Sequence, residues 1–191
     1  DSTAGGEGWT ITGPPHPHVT GQTMTVPGEM SSAAFFMVAA SLVPNSKITL
    51  KDVGLNKTRT GLLDILQRMG GKVSIDAAPT DGEPIGDLTI ETADLHPINI
   101  GAADIPAVID ELPLVALLAA KADGISRITG AEELRVKETD RIAAIVQEFT
   151  KLGINIEELP DGFVIDGRTP WHVTDNQLDA HDDHRIGMVL G

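Results

Sequence analysis

An α/β fold built from repeated β/α units, with buried central helices and sheets outside them, is the class this sequence predicts. Two stretches, residues 33–43 and 112–118, are apolar on every face and must sit inside the molecule. Each is followed by an alternating strand, an amphipathic helix, a glycine stop and two closing strands, and the whole pattern recurs after about 80 residues. A third copy opens at His181-Asp182-Asp183-His184-Arg185 and is truncated. The expected division is therefore repeats over about 26–104 and 105–180, with a partial repeat over 181–191.

The first 25 residues, rich in Gly, Pro and Thr, stand apart. Trp9 to Thr12 alternates like one short strand, and the Pro-rich stretch from Pro14 to His18 excludes regular helix. His16 and His18 have the spacing of a metal-binding pair but lie between prolines with no acidic neighbour, which favours a plain loop. Pro27-Gly28-Glu29 is a turn, and Ser31 or Ser32 is the expected N-cap of the first apolar helix. Pro44-Asn45-Ser46 ends that helix, and Lys47 to Lys51 alternates as a strand. Leu62, Leu63, Leu66 and Met69 make one side of an amphipathic helix over residues 60–69, stopped by Gly70 and Gly71. Residues 72–75 and 87–91 close the copy as strands.

The second copy repeats this order. Asp110 starts its apolar helix, with Pro113 tolerated in the first turn. Gly124 ends it, residues 126–129 form a strand, and Ile142, Ile145, Val146, Phe149 and Leu152 mark the amphipathic helix that Gly153 stops. Residues 154–156 and 163–165 are the two closing strands. In the third copy Asp182 or Asp183 is placed to cap a helix carrying Ile186, Met188, Val189 and Leu190.

Composition narrows the function classes. A chain of 191 residues with 41% hydrophobic content buries a real core. Its net charge of −14 argues against nucleic acid or an anionic membrane surface as partner. There is no cysteine, hence no disulfide, thiolate metal site or cysteine nucleophile in this stretch. The longest apolar run, 33–40, is far short of the roughly 20 residues that a membrane span needs. The expectation is a soluble, cytoplasmic protein whose two ends look cut from a longer one.

The chemistry concentrates at helix starts. Leu134-Arg135-Val136-Lys137-Glu138-Thr139-Asp140-Arg141 lies where a β segment is expected to give way to a helix. Unpaired backbone N–H groups there attract anions. Lys137 and Arg141, four apart, are expected to share a face, with Glu138 beside them. A solvated helix start with paired charges is the bland reading of the same octet. If the apolar helices bundle centrally, Asp110, Lys137-Glu138-Arg141 and His184-Arg185 emerge at one end. Asp110 as a simple N-cap and His181 with His184 as metal ligands are the alternatives, the second opposed by the adjacent Arg185. Aspartate, glutamate, histidine and four cations (Arg135, Lys137, Arg141, Arg185) suit acid–base chemistry on an anion better.

These strings, with Val26-Pro27-Gly28-Glu29-Met30-Ser31-Ser32-Ala33 and Ile109-Asp110-Glu111, resemble the 5-enolpyruvylshikimate-3-phosphate (EPSP) synthase family, the 3-phosphoshikimate 1-carboxyvinyltransferases. The resemblance runs from about Val26 to Gly191, and the string Arg135 to Arg141 is highly specific. It implies an enolpyruvyl-transferase-like fold of two domains with three β/α repeats each, residues 1–25 being the tail of the other domain. It implies transfer of the enolpyruvyl group from phosphoenolpyruvate to the 5-hydroxyl of shikimate 3-phosphate, in aromatic amino-acid biosynthesis, by a monomer with no metal or organic cofactor.

By the same resemblance Asp110 takes the hydroxyl proton, and Glu138 serves proton transfer at the phosphoenolpyruvate methylene. Arg141 and Arg185 grip phosphoenolpyruvate, Lys137 contacts the shikimate phosphate side, and His184 lies beside the site without an assigned role. The family's Ser-Ser-Gln segment, its N-terminal lysine and arginines and a late lysine fall outside this chain. Glu133 stands where several members have asparagine, which puts a shikimate contact there in doubt. The runner-up is a UDP-N-acetylglucosamine enolpyruvyl transferase-like enzyme, disfavoured by the string Lys137 to Arg141. A folded half-enzyme without turnover is the alternative of another class.

Overall fold

Glu29 opens the first helix, α1 (Met30–Leu42), by accepting hydrogen bonds on its carboxylate from the Ser31 and Ser32 backbone N–H groups. The serines expected as caps thus lie inside the first turn, because the longer glutamate side chain reaches both orphan donors from one residue outside. The computed structural model describes residues 12–13, 20–21, 23–78 and 82–191. The strand expected from Trp9 and the loop around His16 and His18 lie outside the described residues, Thr12 apart.

Two copies of one unit follow. In the first, α1 leads to β1 (Lys47–Gly54), α2 (Gly61–Arg68), β2 (Lys72–Ala78) and β3 (Ile85–Glu91). The second runs β4 (Asn99–Ile100), α3 (Leu112–Ala119), β5 (Ile125–Ile128), α4 (Arg141–Lys151), β6 (Asn155–Leu159) and β7 (Gly162–Asp166). The sheet orders match: β1-β3-β2 in one copy, β4-β5-β7-β6 in the other, antiparallel except where β4 runs parallel to β5. The first copy keeps a trace of that fourth strand, since Gly28 makes a parallel bridge to Val53. A two-residue strand has no periodicity to read, so β4 was not legible from its sequence.

The apolar helices pack against each other, α1 on α3 and α3 on a last helix, α5 (His184–Leu190). α2 lies on β2 and α4 on β6, each through one apolar face: Leu62, Leu63, Leu66 and Met69 are buried, as are Ile142, Ile145 and Phe149. The left-handed Gly70 (φ 84°) and Gly153 (φ 79°) end these two helices. A Cβ on Gly61 would come within 2.4 Å of the Ala107 carbonyl oxygen. Only glycine therefore lets the start of α2 press against the turn that leads into α3.

Several expectations change. α1 is not buried on every face, for Ser32, Phe36, Ala39 and Val43 form an exposed stripe along it, with Phe36 58% exposed. Nothing among the described residues covers this side of α1. Asp110 does not start α3; it lies in a 3-10 turn (Ile109–Glu111) just before it. The segment before α4 is a 3-10 turn (Glu132–Val136) rather than β structure. Asp140 caps α4 by accepting from the Ala143 N–H (3.0 Å), so the helix starts at Arg141 and Lys137 shares no helical face with it.

Candidate active site

The starts of all five α-helices among the described residues meet through side chains at one end of the fold. Arg59, just ahead of α2, donates to the Ser31 hydroxyl in α1 (2.8 Å) and lies 3.9 Å from the Asp110 carboxylate ahead of α3. Arg141, the first residue of α4, lies 3.6 Å from the same carboxylate. Its Nε–H donates to Asp183 Oδ2 (2.7 Å) at the start of α5, and its Nη2 donates to Glu138 Oε2 (2.6 Å). Arg185, in the first turn of α5, returns to Asp110 at 3.9 Å and to Glu111 at 3.5 Å. Three guanidinium groups from three loops and helices thus surround one half-buried aspartate.

Burial sets the character of each member. The Arg141 side chain is only 2% exposed, yet its Nη1 has no hydrogen-bond acceptor. A buried guanidinium with one donor edge left open is costly unless something else fills that edge. Asp183, fully buried, caps α5 by accepting from the Arg185 and Ile186 N–H groups. Burial pushes its carboxyl up, but the Arg141 bond and these two N–H groups outweigh that and hold it below the usual aspartate range. Burial pushes the Glu111 carboxyl upward against the pull of Ser31 and Arg185.

Glu29, on the α1 start, is held down to about 2 from an ordinary 4.5: partial burial raises it, and the Ser31 and Ser32 bonds more than offset that. A depressed folded pKa gives stability that is present above the unfolded value and lost as pH falls towards the folded one. Glu29→Gln is therefore expected to cost stability by a constant amount above about pH 5, and by progressively less between about pH 4.5 and 2. Urea unfolding of both chains at pH 7, 5 and 3 checks this. A gap that widens on acidification would contradict the capping role.

The remaining sequence-predicted residues lie differently. Glu138 is half exposed and bound only through Arg141. Lys137 pairs with Glu133 (2.9 Å), away from the Asp110 carboxylate. His184 is exposed at the first position of α5. Arg135, one of four cations expected around the site, turns instead to Asp140, Glu158 and the carbonyls of Leu159 and Pro160. Arg59 takes its place; no local pattern singles it out, because it precedes a helix of ordinary composition. His181, weighed as a metal ligand, bonds through Nε2 to Glu148 (2.8 Å). Among the described residues no cluster of three or more metal-ligating side chains is present, and no helix is long and apolar enough to cross a membrane.

Comparison with known proteins bears on this arrangement. The family model described as EPSP synthase (3-phosphoshikimate 1-carboxyvinyltransferase) matches residues 2–191. The chain belongs to the EPSP synthase family. A 3-phosphoshikimate 1-carboxyvinyltransferase from Lactiplantibacillus plantarum is 60% identical over 181 residues, which are 95% of this chain and 42% of that protein. An EPSP synthase structure from Acinetobacter baumannii superposes with a TM-score of 0.79 at 37% identity, over 86% of this chain and 38% of that one. The enolpyruvyl transferase NikO from Streptomyces tendae follows the same fold, with a TM-score of 0.61 at 20% identity over 87% of this chain and 36% of that one. The chain spans about two fifths of the length of the curated relatives it matches.

Proposed function

We propose that this chain is most of the C-terminal domain of a 3-phosphoshikimate 1-carboxyvinyltransferase, with residues 1–25 the tail of a preceding domain. The observation that carries the reading is the buried Arg141 guanidinium, its Nη1 unbonded, 3.6 Å from the Asp110 carboxylate. An anion's carboxylate fits the open donor edge of Arg141, and Arg185 supplies a second fork. Asp110 is then placed to take the proton of the shikimate 3-phosphate 5-hydroxyl as its oxygen bonds to C2 of phosphoenolpyruvate. Glu138 lies on the Arg141 side, suited to giving a proton to the methylene carbon and taking one back. The C2–O bond to phosphate then breaks, phosphate leaves, and the enol ether double bond reforms. Lys137 is assigned the shikimate phosphate side; His184 has no role in these steps. The reading is of a soluble, cytoplasmic, monomeric enzyme and calls for no cofactor.

The same cluster explains why the chain alone should not turn over. Arg59, Arg141 and Arg185 are outnumbered by Glu29, Asp110, Glu111, Glu138 and Asp183, so two trianionic substrates find too little positive charge in this half. Closure of both domains has to bring the missing cations and exclude water. The isolated chain is expected to fold and release no phosphate from phosphoenolpyruvate plus shikimate 3-phosphate. Adding the remaining segments of the full-length protein should restore release that depends on both substrates. Substrate-dependent release by the isolated chain would overturn the division of labour, and no release from the full-length protein would overturn the activity itself. The family match weighs against a UDP-N-acetylglucosamine substrate, and likeness to NikO concerns the fold alone.

A further inference from the structure

One buried carboxylate takes no part in this chemistry. Glu148 lies two turns along α4 from Arg141, seven residues on, which puts both on one helical face. Its side chain is wholly buried. It accepts two bonds from the Lys151 ammonium (2.9 Å each), one from the Asp179 N–H (3.0 Å) and a 2.8 Å bond with His181 Nε2. Asp179 and His181 belong to the long connection between β7 and α5 that ends in Asp183. The Lys151 ammonium also donates to the Gln177 carbonyl, and the Thr174 hydroxyl to the Lys151 carbonyl. α4 therefore grips this connection at two buried points, Glu148 at residues 179–181 and Arg141 at Asp183.

The backbone between the two grips is strained. His181 (φ 52°) and Asp182 (φ 55°) are consecutive left-handed residues, and neither is glycine. Such a conformation persists only where surrounding bonds over-determine it. Asp182 is exposed, so the fixing falls to its neighbours, and those neighbours are bound by Glu148 and Arg141.

The geometry points to Glu148 as a positioning residue: it holds the strained 181–182 turn and thereby sets Asp183 and Arg185 against Arg141 and Asp110. That this matters for phosphoenolpyruvate rests on the anion-binding reading above. Glutamine in its place keeps the shape but has one acceptor oxygen instead of two and no charge, so its NH2 group faces the Lys151 ammonium whichever way the amide points.

Hydrogen exchange on the isolated chain tests the clamp without substrate. In Glu148→Gln, the Arg185, Ile186 and Gly187 amides, all bonded to Asp183, should lose protection by about tenfold or more, while the β1-β3-β2 sheet keeps its own. Asp182→Gly, which makes the left-handed turn free of cost, should restore much of that protection in the double variant and change little alone. Unchanged amides at 185–187, an equal loss throughout the core, or no recovery from the glycine would each overturn the proposal. In the full-length protein Glu148→Gln should raise the KM for phosphoenolpyruvate about tenfold, the cost of one lost bond to a buried charge, and leave that for shikimate 3-phosphate in place. Local loss of protection with no change in that KM would uphold the clamp and overturn the assignment of Arg141 and Arg185 to phosphoenolpyruvate.

Discussion

Asp110→Asn in the full-length protein is expected to cut turnover by on the order of 10²–10⁴-fold, the range for losing a general base, while both substrates still bind. The amide has the shape of the carboxylate but cannot take up a proton. The fold should tolerate it well. Asp110 caps no helix, and its three ion pairs, at 3.6–3.9 Å, are longer than hydrogen bonds. The amide oxygen can still face Arg141 Nη1, and the swap removes one negative charge from a cluster in which carboxylates outnumber guanidinium groups. A steady-state comparison of kcat and KM decides the matter. Near-normal turnover would move the base elsewhere, with Glu138 the next candidate. A rise in both KM values at unchanged kcat would make Asp110 a binding group.

How much of this was legible beforehand differs by kind of signal. The repeat was, because its markers are local: an apolar helix, an alternating strand and a glycine stop each announce themselves within ten residues or so. Those markers give the order of elements along the chain, which both copies share, whereas the order of strands in each sheet appears only in the structure. Asp110, Glu138, Arg141 and Arg185 were nominated by charge at helix starts, and the helix bundle does bring them together. Arg59, Ser31 and Glu111 were not, because each acquires its place only when α1, α2 and α3 pack start to start. Nor was Arg135 separable from Arg141, since the two cations sit in one string. Asp140, capping α4, is what sends Arg141 inward at the helix start and leaves Arg135 on the preceding turn, facing β6. The extent of α1's burial failed for another reason. An all-round apolar helix predicts cover on every side, and among the described residues the stripe through Phe36 has none.

Arg141→Ala is the change with the largest expected effect on stability, which complicates its use as a probe of binding. The guanidinium is buried between Asp183, Glu138 and Asp110. Removing it leaves Asp183, whose side chain is wholly inaccessible, with only the Arg185 and Ile186 N–H groups as partners. Breaking one side of a buried pair costs about 3–5 kcal/mol, a large part of the 5–15 kcal/mol that holds a typical domain. The expected result is a marked fall in the urea midpoint, with α5 and the 179–183 connection loosening first. Since Asp183 is held ionised by this pair, the double variant Arg141→Ala with Asp183→Asn should recover part of the loss. No recovery would mean that the damage is a cavity rather than a stranded charge. Arg185→Ala is the cleaner test of binding. Arg185 is more exposed and its pairs are long, and Glu111, the buried carboxylate it meets, has the Ser31 hydroxyl as a second partner. It should weaken phosphoenolpyruvate by about 1.5–3 kcal/mol, the worth of a charge-assisted bond, and shikimate 3-phosphate by much less. Isothermal titration of the full-length protein reads both, and equal losses for the two substrates would take Arg185 out of the phosphoenolpyruvate site.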